Sequence, residues 1–281
     1  MSAELISYPK LSDRLTAFCE ASADFMVRSA PQWILGYFEL DQKLPSKYGW
    51  RFTDDDAFRR QSSGLEGSDN INRVFWTDQA RNVEAYSVMT MWRSSELLKP
   101  AIHSLNVGEI ITPAVLARSL VELSTAFLLH ANTIEKLFSQ LTFPPNTIVT
   151  SKEFEERVIK MIWGTRLGTP KPHLAQTNVL TMIQKVAKNP NAADLLPHYE
   201  FLCEIAHPNV VGNSRYWSHI EQINADGSES RSLARSANGD HAEQIRTKVI
   251  WSLAWSAGSL CNAFSMISNS LKELLSKLQG S

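Results

Sequence analysis

Few residues in this sequence have the type and spacing for chemistry, and the best placed is a histidine. His207 stands in "YEFLCEIAHPNVVGN", Tyr199 to Asn213, directly before Pro208. Proline pushes the preceding residue out of the helical region, so the helix carrying the apolar run should end at His207. The partial negative charge of a helix end favours the protonated imidazole, which suits a general acid or a phosphate contact. Glu204 and Cys203 lie one turn earlier and can neighbour the ring. The same residues also read as plain punctuation, a last-turn histidine followed by a stop-signal proline. A Cys203/His207 nucleophilic pair is the weaker idea, because Cys203 continues the Leu196 and Tyr199 face of the helix. Zinc is weaker still, since C-x3-H gives two ligands and no second pair is in sight.

A second pair lies in "AVLARSLVELSTAFLL", where Arg118 and Glu122 are the charged residues of a long apolar stretch, one turn apart on a shared face. Leu116, Leu120, Leu123 and Phe127 make the opposite face, which alone would describe an ordinary exposed stripe. Val115, Val121, Leu128 and Leu129 argue for burial nearly all round. A partly buried Arg-Glu pair must be satisfied, by each other or by a ligand.

Third, no acidic residue occurs between Arg157 and Ala193, while Arg157, Lys160, Arg166, Lys171, Lys185 and Lys188 do, with Trp163 and His173 among them. Charge of one sign over a loop and two helix ends suits a phosphate backbone, with Arg157, Lys160, Arg166 and Lys171 as the nucleic-acid contacts. A solvated basic face balanced by acids elsewhere is the alternative. The run Asp54, Asp55, Asp56 suggests a metal less than a helix start, because neighbouring side chains diverge and Thr53 precedes them. No metal and no cofactor is implied.

The elements that must carry these residues are helices. Periodicity predicts one from Leu11 to about Arg28, broken at Pro31 before a short continuation, "WILGYFEL". Residues 43 to 70 hold the Pro, Gly, Ser and Asp clusters of a long irregular loop, either mobile or functional. A helix from about Thr77 to His103 carries Val83, Tyr86, Met89 and Trp92 on one side, and Pro100 should kink or close it. Thr112 and Pro113 cap and open the next, to about Leu141. "FPPN" ends that section. Helices follow from Ser151 to Trp163, near Thr177 to Lys188, and up to His207. Asp226-Gly227 marks a short hairpin near 215–235. A last helix runs from Asp240 to about Leu278. The fold expected is all-α, a multi-helix bundle with one short β-hairpin. Residues 71–281 form its core in one continuous domain, and 1–70 are an appendage of helix plus long loop.

Composition sets the outer bounds. In 281 residues, 28 lysines and arginines nearly balance 29 aspartates and glutamates, so no global field draws the chain to nucleic acid or anionic membrane. Any such partner must be met by a local patch. Cys19, Cys203 and Cys261 lie far apart with no CxxC pair, and the N-terminus shows no secretory pattern, so reduced thiols in the cytoplasm are expected. The stretch Val249 to Leu271 has no charge over 23 residues, long enough to cross a bilayer. Six serines and two asparagines interrupt it. Ile250, Leu253, Ala257, Leu260, Phe264, Ile267, Leu271 and Leu274 recur at alternating threes and fours, with every one of those serines off the seam. A buried bundle or dimer helix is therefore expected rather than a membrane span.

Taken together, "ARSLVE", "YEFLCEIAHPN" some eighty residues later, a hairpin and a long closing helix resemble helical proteins related to the HEPN superfamily, over roughly residues 77 to 275. The resemblance implies a metal-independent ribonuclease of bacterial defence or toxin–antitoxin systems, often dimeric, or a relative that binds nucleotides or partners without catalysis. Arg118, Glu122, His207 and Asn209 match the degenerate R-x3-E and HPN signatures. The family's catalytic arginine and histidine share one helix, and this sequence departs from that pattern: "RLGTPKPH", Arg166 to His173, has the separation but two prolines, so it reads as a loop. Two functional readings follow. In one, a protein acts on RNA or nucleotide, His207 serving as acid/base or phosphate contact, Arg118 stabilising the phosphate and Glu122 orienting it. In the other, a non-catalytic interaction protein forms a homodimer or docks a protein partner through its closing helix.

Overall fold

The computed structural model describes residues 9–51, 53, 55–165, 167–168, 171, 174–214, 217–234 and 239–279, without the side chains of 55, 210, 214 and 240. It is mainly α-helical, with one two-stranded antiparallel hairpin among these residues. In chain order the helices are α1 Asp13–Glu20, α2 Phe25–Arg28, α3 Ala30–Asp41, α4 Asp55–Ser62, α5 Ser68–Asn106, α6 Ile111–Gln140, α7 Lys152–Trp163, α8 Val179–Val186, α9 Leu195–Ala206 and α10 Gly239–Gln279. The strands β1 Ser218–Ile223 and β2 Glu229–Leu233 lie between α9 and α10.

Local chemistry explains most of the ends. Ser151 caps α7 by accepting a hydrogen bond from the Phe154 N–H, as its position before the apolar run predicts. The hairpin turns at Gly227, φ +82°, a backbone state that glycine adopts without strain, and Asp226 accepts hydrogen bonds from the Ser228 N–H and hydroxyl. A β-bulge interrupts the register between Ile220 and Gln222.

Five expectations are corrected. The first helix breaks before Phe25 rather than at Pro31, because Asp24 accepts from the Met26 and Val27 N–H groups and starts α2. Pro31 sits in the first turn of α3, where its missing N–H costs nothing. Residues 43–70 are not wholly irregular, since α4 occupies Asp55–Ser62, a helix the Thr53-Asp run signalled. Helix α5 starts at Ser68 and runs through Pro100 to Asn106, 39 residues in all. Of the side made by Val83, Tyr86, Met89 and Trp92, Val83 is buried and the Tyr86 hydroxyl meets His130, but Met89 is 39% exposed, and the buried surface of α5 also takes in Ser87, Met91, Leu98 and Ile102. Helix α6 begins one residue before Thr112, which is therefore inside it.

The chain divides into two compact units. The first gathers Met1–Asp41, Arg93–Thr125 and Ile183–Ser259. Leu15, Cys19, Ile34, Phe38, Leu98, Leu120, Leu202 and Leu253 are buried in it. From Val249 to Ala257 every residue of α10 is buried, so the serines off the seam are inside as well. Their hydroxyls are satisfied: Ser252 donates to the Lys248 carbonyl, and the Ser124 hydroxyl donates to that of Ser256. The seam itself is filled from within the chain over this stretch.

The second unit gathers Gln42–Trp92, Ala126–Met182 and Leu260–Ser281. Its centre is aromatic. The Trp76 ring lies 5.1 Å from Phe75, 5.5 Å from Phe154 and 6.3 Å from Phe138, and its Nε1 donates to the Val149 carbonyl at 2.9 Å. Asn72 brackets the same segment, donating to the Thr147 carbonyl and accepting from the Val149 N–H. Among the described residues, α6 is the one helix long and apolar enough by length and composition to cross a bilayer, and Val249–Leu271 does not reach that hydropathy.

Candidate functional site

The sequence motifs meet in the first unit, through a different residue than expected. Arg118 and Glu122 do form a pair, Nε to Oε1 at 3.3 Å, with side chains 32% and 30% exposed. Helix α9 joins them through Tyr199, whose hydroxyl donates to Glu122 Oε1 at 2.8 Å. The Arg118 guanidinium carbon lies 5.9 Å from the Tyr199 ring centroid, a cation–π distance. Cys203, one turn along α9, is near enough to bear on the charge of Arg118. The cluster is thus Arg118, Glu122, Tyr199 and Cys203.

Its electrostatics are of one kind. Burial opposes the guanidinium charge, but Tyr199, Cys203 and Glu122 together outweigh that penalty and hold Arg118 above its ordinary pKa. Burial and the hydrogen bond to Glu122 push the Tyr199 phenol up, so it remains a donor at neutral pH. One group is left over. The Arg118 Nε is buried, and among the described residues no acceptor is aligned with its N–H, the 3.3 Å contact to Glu122 being too oblique for a hydrogen bond. A buried donor without an aligned acceptor costs about 1–3 kcal/mol, and because this N–H lies inside beside Glu122, only the exposed third of the Arg118 side chain can meet a ligand.

His207 ends α9 as its proline demands, with extended backbone at φ −93° and ψ 144°. Its side chain is exposed, and no described residue hydrogen-bonds the ring. No hydrogen bond joins Arg118 and His207 among the described residues. His207 follows Cys203 by one turn on the side of α9 that Tyr199 and Cys203 define, and that placement is what the helix supplies.

Asn209 has a clear structural task. Its Oδ1 accepts from the Val211 and Gly212 N–H groups, both at 3.0 Å, and its Nδ2 donates to Glu204 at 2.5 Å. It thereby folds the chain back into the single turn Val210–Ser214. Gly212 completes this return: a Cβ there would lie 2.6 Å from the His207 carbonyl oxygen and 2.9 Å from that of Ile205. Only glycine brings its backbone so close to the last carbonyls of α9. "HPN" is therefore followed by a required glycine, and the motif as a whole builds a helix stop with a tight reversal.

The basic residues divide. Arg157 is paired with Glu153 at 2.8 Å on the exposed side of α7. Lys160 sits half-buried near His130, and Lys171 is exposed. Arg166 and His173 lie outside the described residues, as does Asp54. Lys185 and Lys188 belong to the first unit, while Arg157, Lys160 and Lys171 belong to the second. Among the described residues no group of His, Cys, Asp and Glu side chains is arranged to hold a metal ion.

Sequence reasoning passed over Tyr199, taken as core. The available signal was its place one turn before Cys203 and two before His207. Compared with known protein families, curated proteins and solved structures, the chain has no match.

Proposed function

We propose that this chain is a HEPN-like helical protein acting on RNA or nucleotide, with Arg118 as its phosphate contact. The observation that carries the reading is a guanidinium side chain about one-third exposed and held in place by Glu122 and the Tyr199 ring. Guanidinium N–H groups make strong, directional bonds to phosphate oxygens, and this guanidinium is already oriented by Glu122 and by the Tyr199 ring. Glu122 thus plays the orienting role, and Tyr199 fixes Glu122. In the catalytic form of the proposal His207 moves the proton and Arg118 stabilises charge on the phosphate, so cleavage needs no divalent ion.

The test is incubation of end-labelled RNA in excess chelator with the wild type, His207→Ala and Arg118→Gln, with binding measured in parallel. Cleavage lost in His207→Ala supports metal-independent ribonuclease action. Binding without cleavage, lost in Arg118→Gln, supports a nucleotide- or RNA-binding protein. Neither binding nor cleavage, or cleavage that appears only on adding a divalent ion, refutes the proposal and favours the interaction protein.

A further inference from the structure

The segment before α4 is strapped along α5 in the second unit by three side-chain hydrogen bonds. The Tyr48 hydroxyl donates to Glu84 at 2.6 Å, Trp50 Nε1 donates to Asn82 at 2.9 Å, and the Thr53 hydroxyl donates to Asp78 at 2.6 Å. As the strap advances from 48 to 53 its partners descend α5 from 84 to 78, so the two run antiparallel. Trp50 is further fixed by stacking on Trp163, ring centroids 5.8 Å apart. Arg51 is carried between Trp50 and Thr53 and faces α5 where Arg81 stands.

Between strap and helix lies a cavity of about 260 Å3, lined by Arg51, Thr53, Gln61, Arg73, Thr77 and Arg81 together with Val74 and Asp78. Arg73, Thr77 and Arg81 are spaced by four residues and share one face of α5. Among the described residues the lining holds three guanidiniums and one carboxylate. None of the three arginines forms an ion pair of 4.0 Å or less with a described residue. Asp78, the described carboxylate of the lining, accepts from Thr53 and Asn82 and feels the charges of Arg81 and Arg51. All three arginines are solvent-exposed and so remain open to an incoming anion.

We infer that this cavity is a binding site for the phosphate monoester group of a small phosphorylated metabolite. The match is of charge: three guanidiniums suit a doubly charged monoester, whereas a carboxylate or a phosphodiester supplies one charge. Arginine forks, the Thr53 and Thr77 hydroxyls and the Gln61 amide are the donors and acceptors such a group uses. The volume is just below the roughly 300 Å3 at which pockets for drug-sized ligands begin, which fits a phosphate carrying a sugar-sized substituent. The inference is independent of the role of Arg118, which belongs to the first unit.

The experiment is calorimetric titration of the full chain with ribose 5-phosphate and with ribose. Ribose 5-phosphate should bind and ribose should not. Arg73→Gln and Arg81→Gln should each weaken binding about tenfold, the loss of one charge-assisted contact, with melting temperatures unchanged within about a degree. Arg73→Lys, which keeps the charge and loses the fork, should fall between. Absence of ribose 5-phosphate binding up to about 10 mM overturns the inference. So does binding that survives Arg73→Gln but is lost in Arg118→Gln, which would place the phosphate at Arg118. Binding of a uridine-rich RNA alone, lost in the Arg73 and Arg81 variants, also overturns it, because the arginines would then serve a polymer backbone.

Discussion

Replacing His130 by Gln should flatten the acid side of this protein's stability curve. His130, on α6, accepts or shares a hydrogen bond with the Tyr86 hydroxyl, 2.6 Å from its Nδ1. Burial, with a smaller contribution from Lys160, pushes its pKa down to about 4. The direction of the effect follows from which state holds the proton. The unfolded chain protonates this histidine near pH 6.5, while the folded chain keeps it neutral to about pH 4. Its contribution is complete above about pH 6.5 and is lost as the pH falls toward 4. At 1.36 kcal/mol per pH unit, lowering the pH from about 7.5 to about 5 removes about 2 kcal/mol through this group alone. Urea unfolding of the wild type and His130→Gln at those two pH values measures it, because carboxylate titrations common to both proteins cancel in the difference. The wild type should lose about 2 kcal/mol more than the variant between the two conditions. Equal losses would show that His130 is already protonated in the fold, and would refute the argument from burial.

Two further outcomes follow from single contacts. Tyr199→Phe removes the hydroxyl that donates to Glu122 and should lower stability by about 1 kcal/mol in urea melts, a change that Cys203→Ser should not reproduce. Trp76→Phe keeps a ring in the aromatic cluster but abandons the Val149 carbonyl, so a loss of about 1–2 kcal/mol is expected, read as a lowered melting temperature.

The helical class, the hairpin at Asp226-Gly227 and the end of α9 at His207 were legible because each depends on neighbours in the chain. Proline restricts the residue before it, glycine takes up positive φ, and a serine caps the helix that follows. Burial was less legible. The buried side of α5 matches the side its large residues suggested only in part: Val83 and Tyr86 turn inward, small and polar residues such as Ser87 and Ser94 are buried as well, and Met89 is left outside. Hydrophobic spacing reports which residues favour burial, not which positions the neighbouring helices cover.

The same division holds at the sites. Sequence alone placed Arg118 and Glu122 on one helix face and His207 at a helix end, because those are facts of local backbone geometry. Only the tertiary structure decided that α9 presents Tyr199 to this pair, that Asn209 and Gly212 serve the chain reversal, and that Arg51 faces Arg73 and Arg81 across a cavity. The first and the last of these join residues about 20 to 80 positions apart in the chain, whereas the reversal at Asn209 and Gly212 is local. The two distant juxtapositions are set by helix packing and by three hydrogen bonds along a strap, and no periodicity within a single segment encodes them.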